Sequence, residues 1–255
     1  MKYRVIVSPD LEVSVESFLS EGGKEIPEIV PITQAREKIS GAIILLVNDL
    51  SNKDLEEVIS QSRNEYDNLF FLIADAIDCR EGLKPGGARR MVRVAQYLGP
   101  ELNLSPSEQW ILEHACVLRD IGKIEIPNEI LLKKSVLSYE EWVMLKSHSK
   151  LGADLLGKLG IFPELVPVIS AHHESYDGDG YPLGLEGEQI PFLARVLKVI
   201  DVYCAMTSYR IYRSSIATKE EAIEHIKEER GKHFDPKVVD AFLRANIVEK
   251  DEVVN

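Results

Sequence analysis

The sequence lacks the features of a disulfide-rich, nucleic-acid-binding or lipid-binding protein. Its three cysteines, Cys79, Cys116 and Cys204, are odd in number and far apart, which argues against a disulfide framework and a thiolate zinc site. Basic residues are scarce, because 30 Lys and Arg stand against 42 Asp and Glu, a formal net charge of -12. Tight binding to nucleic acid or anionic lipid depends on clustered Lys and Arg, so neither partner is expected. A small anionic ligand needs only local positive charge.

Long apolar runs are also absent. None approaches the roughly 18 residues of a membrane span, and the first residues show no signal-peptide core or cleavage site. We therefore expect a cytoplasmic protein. The 255 residues suffice for one large domain or two small ones, and 45% hydrophobic content is ordinary for a chain with a sizeable core.

Short apolar runs alternate with polar, helix-like segments over residues 1–76. The runs lie at residues 3–7, 28–32, 42–47 and 69–73. This alternation predicts a small α/β module with a mostly parallel sheet. The module resembles a shortened receiver domain of response regulators, with Asp10 after the first strand and Asp49 after the third. Asp49 is then either a phosphoacceptor or an ordinary loop aspartate. In the second case the module would serve to order or dimerise the protein.

A change of pattern follows the module. Residues 77–87, with Gly82 and Pro85, are predicted as a linker. From residue 88 to 248 apolar residues recur at spacings of three and four, which predicts amphipathic helices packed as an all-α bundle. Sequence signals mark three helix starts. They are Ser105 before Pro106, Ser138 with Glu141 as a capping box, and Asp235 before Pro236 at the final helix.

Five side chains in the helical half are of types that bind metal ions. They are Asp120, His148, the adjacent His172 and His173, and Asp201. Imidazoles and carboxylates are common ligands of divalent ions. A carboxylate between apolar neighbours, such as Asp201, is costly to bury without a cation. Taken singly, each residue could be a packed or surface polar group, whereas their order and spacing together match a known pattern.

That pattern resembles the HD-GYP family, the cyclic-di-GMP phosphodiesterase branch of the HD metal-dependent phosphohydrolases. The resemblance covers about residues 88–245, and its segments lie at 119–131, 137–142, 171–182, 190–196, 206–210 and 231–236. It implies an HD-type helical bundle, divalent metal ions (Fe, Mn, Zn or Ni) and a cyclic dinucleotide as ligand. In the family, two or three metal ions act on a phosphodiester and offset charge in the transition state.

The resemblance also implies a role for each ligand residue. Asp120 would bridge metal ions and take part in catalysis, and Asp201 would belong to a neighbouring ion. The shell of one ion would be completed by His148, His172 and His173. His114, His225 and His233 match no ligand position, so we expect them in packing or at the surface.

The ligand-binding residues follow in the same way. Lys123 would meet a phosphate and serve in catalysis, and Arg210 would lie on the nucleotide side. The loop of Asp177, Gly178, Gly180, Tyr181 and Pro182 has two interpretations. It is either a turn that shapes the pocket rim or, as the family implies, a surface that borders the nucleotide and contacts partners including diguanylate cyclases.

Two arginines depart from the family pattern. Arg119 stands where the doublet histidine belongs, and Arg90 where an earlier histidine belongs; Cys204 replaces a downstream carboxylate. A guanidinium cannot ligate a metal, because it is always charged and has no acceptor. The shell of one ion is therefore expected, rather than two or three. The arginines either pair with orphaned carboxylates such as Asp201 or replace an ion's positive charge and leave a phosphate-binding site.

These observations leave three functional hypotheses. The first is a cyclic-di-GMP signalling protein with a degenerate site, which binds nucleotide or partners with weak or no hydrolysis. The second is an active phosphodiesterase with an atypical metal site, acting on cyclic-di-GMP or a related cyclic dinucleotide. The third is a ligand-free interaction scaffold. A homodimer is compatible with each.

Overall fold

The structure is a computed structural model. It describes residues 67–160, 162–208 and 216–251, together with the backbone of strand residues in the first 47 positions. The chain divides into two compact units, Met1–Asn68 with Leu159–Ile161, and Leu69–Lys158 with Phe162–Asn255. Within the described part, the helices are all too short or too polar to cross a membrane.

The strands of the first unit pair antiparallel. They are β1 (Arg4–Ser8), β2 (Leu11–Ser14), β3 (Lys38–Ile39), β4 (Ala42–Ile43) and β5 (Leu45–Val47). β1 lies between β2 and β5 and is antiparallel to both, and β3 pairs antiparallel with β4. β1 and β2 are joined by residues 9–10 alone, whereas a parallel pair needs a crossover of about a dozen residues.

The predicted α/β module with a mostly parallel sheet is therefore wrong. Its fourth predicted strand, residues 69–73, is also wrong, because residues 67–80 form a helix, α1. A short apolar run fits a buried helix as well as a strand, and periodicity does not give the direction of strand pairing. Asp10 and Asp49 lie outside the described residues, as does the predicted run at 28–32.

The second unit is helical, in agreement with the predicted bundle. After α1 its α-helices are α2 (Gly87–Glu101), α3 (Pro106–Leu118), α4 (Asn128–Leu131), α5 (Tyr139–Lys146), α6 (His148–Leu159), α7 (Leu165–Ala171), α8 (Phe192–Met206), α9 (Lys219–Glu228), α10 (Pro236–Arg244) and α11 (Ile247–Lys250). Short 3₁₀ turns cover Ile121–Glu125 and Gly187–Gln189.

The helix starts follow the cap signals. Ser105 caps α3 with Pro106 at its first position, and Ser138 with Glu141 forms the capping box of α5. Asp235 caps α10, but this is not the final helix, because the short α11 follows it. In each case the side-chain oxygen accepts a hydrogen bond from a backbone N–H that has no partner within the helix.

The core of the bundle is built around α8. Its buried residues include Val196, Leu197, Val199, Ile200 and Tyr203, all 0% exposed. α8 contacts α2, α3, α7, α9 and α10, so most of the bundle is fixed to one central helix. The chemistry-bearing side chains of α7 and α8, and of the turn after α3, are therefore held by a packed apolar frame.

Candidate metal centre

Three histidines meet at the junctions of α6 and α7. His148 begins α6, His172 caps the C-terminus of α7, and His173 follows. One ligand atom from each lies within 4.8 Å of the others. The Nε2 atoms of His148 and His173 are 3.2 Å apart. The structure thus brings together three residues that the sequence analysis assigned to one ion.

The hydrogen bonds of these rings suit metal ligation. His148 Nδ1 lies 2.7 Å from the carbonyl oxygen of Leu145, and His172 Nδ1 lies 2.6 Å from that of Ile169. A carbonyl only accepts, so both Nδ1 atoms carry the proton and both Nε2 atoms present a lone pair. Among the described residues, His172 Nε2 is buried without a hydrogen-bond partner. An orphaned basic nitrogen facing two other imidazoles fits a divalent ion.

The protonation state of the cluster also fits. Burial and, to a smaller extent, the neighbouring His148 together lower the pKa of His172 to about 4. Burial likewise lowers the pKa of His148 and His173 below the usual value. All three rings are then neutral near pH 7, which is the form that binds a metal.

Asp120 is brought to this cluster by a close backbone approach. It precedes the 3₁₀ turn Ile121–Glu125, and its Oδ1 lies 3.5 Å from His148 Nε2. A Cβ on Gly122 would clash with the backbone of His148 and Gly152. Glycine at 122 therefore lets the turn pack against α6, which places the carboxylate where it could be a fourth ligand.

Arg119 bridges the two predicted metal-binding carboxylates. Its NH2 lies 2.9 Å from Asp120 Oδ2, its Nε lies 2.8 Å from Asp201 Oδ1, and its NH1 donates to the carbonyl of Cys116. Burial opposes these charges, yet Arg119 and Lys123 hold the pKa of Asp120 well below its usual range. The two carboxylates likewise raise the pKa of Arg119 against its own burial. The guanidinium therefore lies between the carboxylates that the resemblance assigned to two metal ions.

Arg90 points to a different set of groups. Its guanidinium contacts the Asp251 carboxylate at 2.6 Å, Thr207 Oγ1 at 2.7 Å and Ser208 Oγ at 2.8 Å. Both ion-pair partners are buried, at 7% and 0% side-chain exposure. Tyr203 also donates to Asp251. Arg90 thus anchors the end of the described chain to the end of α8, and does not join Asp201.

Lys123 is held by two carboxylates. Its Nζ lies 3.0 Å from Asp120 Oδ1 and 2.7 Å from Glu81 Oε1. Burial lowers the pKa of Lys123, but these carboxylates raise it above the ordinary value. The cation is therefore fixed beside Asp120, on the edge of the histidine cluster.

The loop after His173 is built onto the metal centre. Glu174 is buried and accepts hydrogen bonds from the N–H groups of Leu183 and Leu185, at 2.7 and 3.1 Å. A Cβ on Gly180 would clash with the backbone of Glu174 and Ser175. The loop folds back so that the Tyr181 ring stacks on His173, with centroids 4.7 Å apart. The peptide bond between Tyr181 and Pro182 is cis.

The rest of the loop is tied to the segment between α9 and α10. The N–H of Asp177 donates to the carbonyl of Lys232 at 2.8 Å, and Asp177 Oδ1 accepts from the N–H of Asp179. Gly178 has a φ of 87°, which favours glycine. These contacts make the segment an ordered rim of the site.

Sequence reasoning missed several supporting residues. Glu81 holds Lys123, Glu174 holds the loop, and Asp251 receives Arg90. Lys198 donates to the carbonyl of His173 and to Ser175, and burial lowers its pKa to about 8. A usable signal existed for Lys198, which precedes Asp201 by three residues on α8 and so shares its helix face. Arg210 lies outside the described residues.

Comparisons with known proteins agree with this architecture. A family model described as HD domain matches residues 72–238. The cyclic di-GMP phosphodiesterase response regulator RpfG of Xanthomonas campestris is 39% identical over 196 residues, covering 74% of this chain and 52% of that protein. The chain therefore belongs to the HD domain family, in its HD-GYP branch.

Solved structures show the same fold. A cyclic GMP-AMP specific phosphodiesterase of Vibrio cholerae aligns with a TM-score of 0.53 and 23% identity, over 69% of this chain and 47% of that one. An HDG"Y"P protein of Bdellovibrio bacteriovorus aligns with a TM-score of 0.51 and 19% identity, over 64% and 51%. The chain spans about half the length of the curated relatives it matches first.

Proposed function

We propose that this chain is a cyclic-di-GMP signalling protein with a degenerate HD-GYP site, which binds a cyclic dinucleotide beside one divalent ion and hydrolyses it weakly or not at all. The observation that carries this proposal is the Arg119 guanidinium between Asp120 and Asp201, at 2.9 and 2.8 Å. The ligand class comes from the relatives, which are named as phosphodiesterases of cyclic di-GMP or of cyclic GMP-AMP.

The residues for one ion are present. His148, His172 and His173, with Asp120 beside them, would hold it. Bound there, a divalent ion would supply Lewis-acid charge to a phosphodiester oxygen. A second ion would need the oxygen atoms of Asp120 and Asp201 that now accept from Arg119.

The guanidinium supports binding better than it supports hydrolysis. Its single positive charge offsets part of the charge of two carboxylates that would otherwise repel an anionic phosphate, and Lys123 adds a second fixed cation. Arg119 has no lone pair to activate water, and its raised pKa excludes a role as a base. The site therefore keeps one positive charge between Asp120 and Asp201, without the chemistry that a second ion would supply.

The alternative is a working phosphodiesterase with a single ion. The intact three-histidine cluster favours it, and so do the relatives named as phosphodiesterases. One ion can activate water without a partner, although two-metal sites stabilise both the attacking and leaving oxygens.

A turnover assay on Arg119→His separates the two. The variant restores the doublet histidine without touching the buried Arg90–Asp251 pair. With Mn²⁺ present, we expect wild-type protein to bind cyclic-di-GMP in calorimetry and Arg119→His to hydrolyse it on the order of 10²-fold faster than wild type. Arg195→His, which also disrupts a buried pair, with Asp235, is the matched control and should show no gain.

Two results would overturn the proposal. Wild-type turnover equal to that of Arg119→His would show that the arginine does not limit hydrolysis. If the Mn²⁺-loaded wild type gives no binding heat at high micromolar cyclic-di-GMP, then cyclic-di-GMP is not its ligand.

A further inference from the structure

A lysine and two aromatic rings form a chain of side-chain contacts that begins at His173. Tyr181 stacks on His173, the Lys146 Nζ lies 4.9 Å from the centroid of Tyr181, and the same Nζ lies 5.7 Å from the centroid of Trp142. Trp142 and Lys146 are four residues apart on α5, so their side chains share one helix face. The set Tyr181, Lys146 and Trp142 is called the aromatic rim below.

The aromatic rim is open to solvent on α5. Trp142 is 51% exposed, and none of the eight residues of α5 is buried. An indole has a large apolar face and one N–H donor, and tryptophan is enriched at binding interfaces for that reason. This indole lies one side chain away from the ring that covers His173.

Lys146 has no carboxylate partner among the described residues, in a protein of net charge -12. Other lysines of the described surface, such as Lys150 with Asp154 at 2.6 Å, do form ion pairs. The ring contacts hold the Lys146 ammonium by cation–π attraction and leave its N–H donors available. A ligand that offers a π face and acceptor atoms would satisfy both groups at once.

We propose that the aromatic rim is a purine subsite, in which a base of the dinucleotide stacks on Trp142 while Lys146 donates to the acceptor edge of the base. The inference rests on the proposed function, because an ion held by the histidine cluster would bind the phosphodiester, and a base of the ligand would then extend beyond it. Guanine suits the subsite, since its O6 and N7 are adjacent acceptors that lysine recognises. Stacking on an aromatic ring tolerates any base. Trp142 would therefore contribute affinity for a base of any kind, and Lys146 would contribute the preference for guanine.

Indole fluorescence tests the stacking directly. The chain has two tryptophans, and Trp110 is partly buried and stacked on His114. In a Trp110→Phe background the signal therefore comes from Trp142 alone. We expect cyclic-di-GMP to quench it with the midpoint that calorimetry gives.

Affinity measurements on variants complete the test. Trp142→Ala should weaken cyclic-di-GMP binding on the order of tenfold. Lys146→Met should weaken it several-fold. Tyr139→Ala, an exposed ring on the same helix, and Lys150→Met are the matched controls and should stay within twofold. Bis(p-nitrophenyl) phosphate, a phosphodiester without a purine, should bind Trp142→Ala as it binds wild type.

The outcomes distinguish this inference from the proposed function. If cyclic-di-GMP binds but neither quenches Trp142 nor loses affinity in Trp142→Ala, the purine subsite is refuted and the proposed function stands. If both phosphodiesters lose affinity equally in Trp142→Ala, the rim supports the site's structure and does not read a base. No binding to wild type defeats the proposed function, and the subsite with it.

Discussion

Removing the Arg119 guanidinium should destabilise the metal-free protein strongly. In Arg119→Met the apolar stem is retained, while Asp120 and Asp201 lose the cation that they share at 2.9 and 2.8 Å. The Arg119 side chain is 8% exposed and its partners 14% and 19%, so water screens the remaining charges poorly. Breaking a buried pair by removing one partner costs about 3–5 kcal/mol, because a buried charge is left uncompensated.

A divalent ion should reverse this loss. Two carboxylates without their guanidinium form a cation site, and an ion present at a hundred times its Kd adds about 2.7 kcal/mol of stability. Wild type should gain one such increment, from the histidine cluster, and Arg119→Met should gain a second. The assay is urea unfolding of chelator-treated protein, with and without Mn²⁺, compared at equal protein concentration.

The matched control is Arg230→Met, which removes an exposed pair with Asp240, 46% exposed on both sides. Exposed pairs contribute about 0–1 kcal/mol, so its unfolding free energy should barely change. If Arg119→Met also costs less than about 1 kcal/mol, the bridging arginine is not a charge substitute. Equal Mn²⁺ stabilisation of Arg119→Met and wild type would show that Asp120 and Asp201 do not form a cation site when the guanidinium is removed.

Three further predictions concern the surroundings of Arg119. Gly180→Ala should disorder the loop, because the new Cβ clashes with backbone, and calorimetry should show ligand binding weakened by about tenfold or more. The control is Gly157→Ala, where a Cβ meets nothing within 4 Å, and it should leave binding unchanged. Arg90→Met should lower the unfolding free energy by about 3–5 kcal/mol, since Asp251 stays buried without a cation, and a loss below 1 kcal/mol in urea unfolding would contradict this. His172→Asn should keep the helical fold, as measured by circular dichroism, but should retain less than about a tenth of an equivalent of metal by mass spectrometry. Full retention of metal would show that the ion binds elsewhere.

Much of the helical half could be predicted because several of its helices carry local signals. Apolar spacing and the caps at Ser105, Ser138 and Asp235 act within a few residues, so they are readable without the fold. Apolar periodicity does not give the direction of strand pairing in the first unit, even for the neighbouring strands β1 and β2, and the apolar run at 69–73 had no local feature that separated helix from strand. It is helical in the structure, and Ala74 and Ile77 of the same helix join the bundle core.

In the candidate site, too, some features could be predicted from the sequence and others could not. The resemblance placed His148, His172 and His173 together, as the structure does. The groups that each arginine side chain contacts could not be predicted, because Arg119 and Arg90 both stand at histidine positions of the family pattern. Arg119 lies between carboxylates, whereas Arg90 turns to Asp251, a residue 161 positions away that no motif marked. Charge partners far apart in sequence are fixed by packing, which one sequence does not display.

In the proposed function, Arg119 occupies the place of a second ion. Metal stoichiometry of the wild-type chain tests it most directly, by mass spectrometry after saturation with Mn²⁺ and removal of loosely bound ions. We expect one ion per chain, held by the histidine cluster. Two or more tightly bound ions per chain would contradict it.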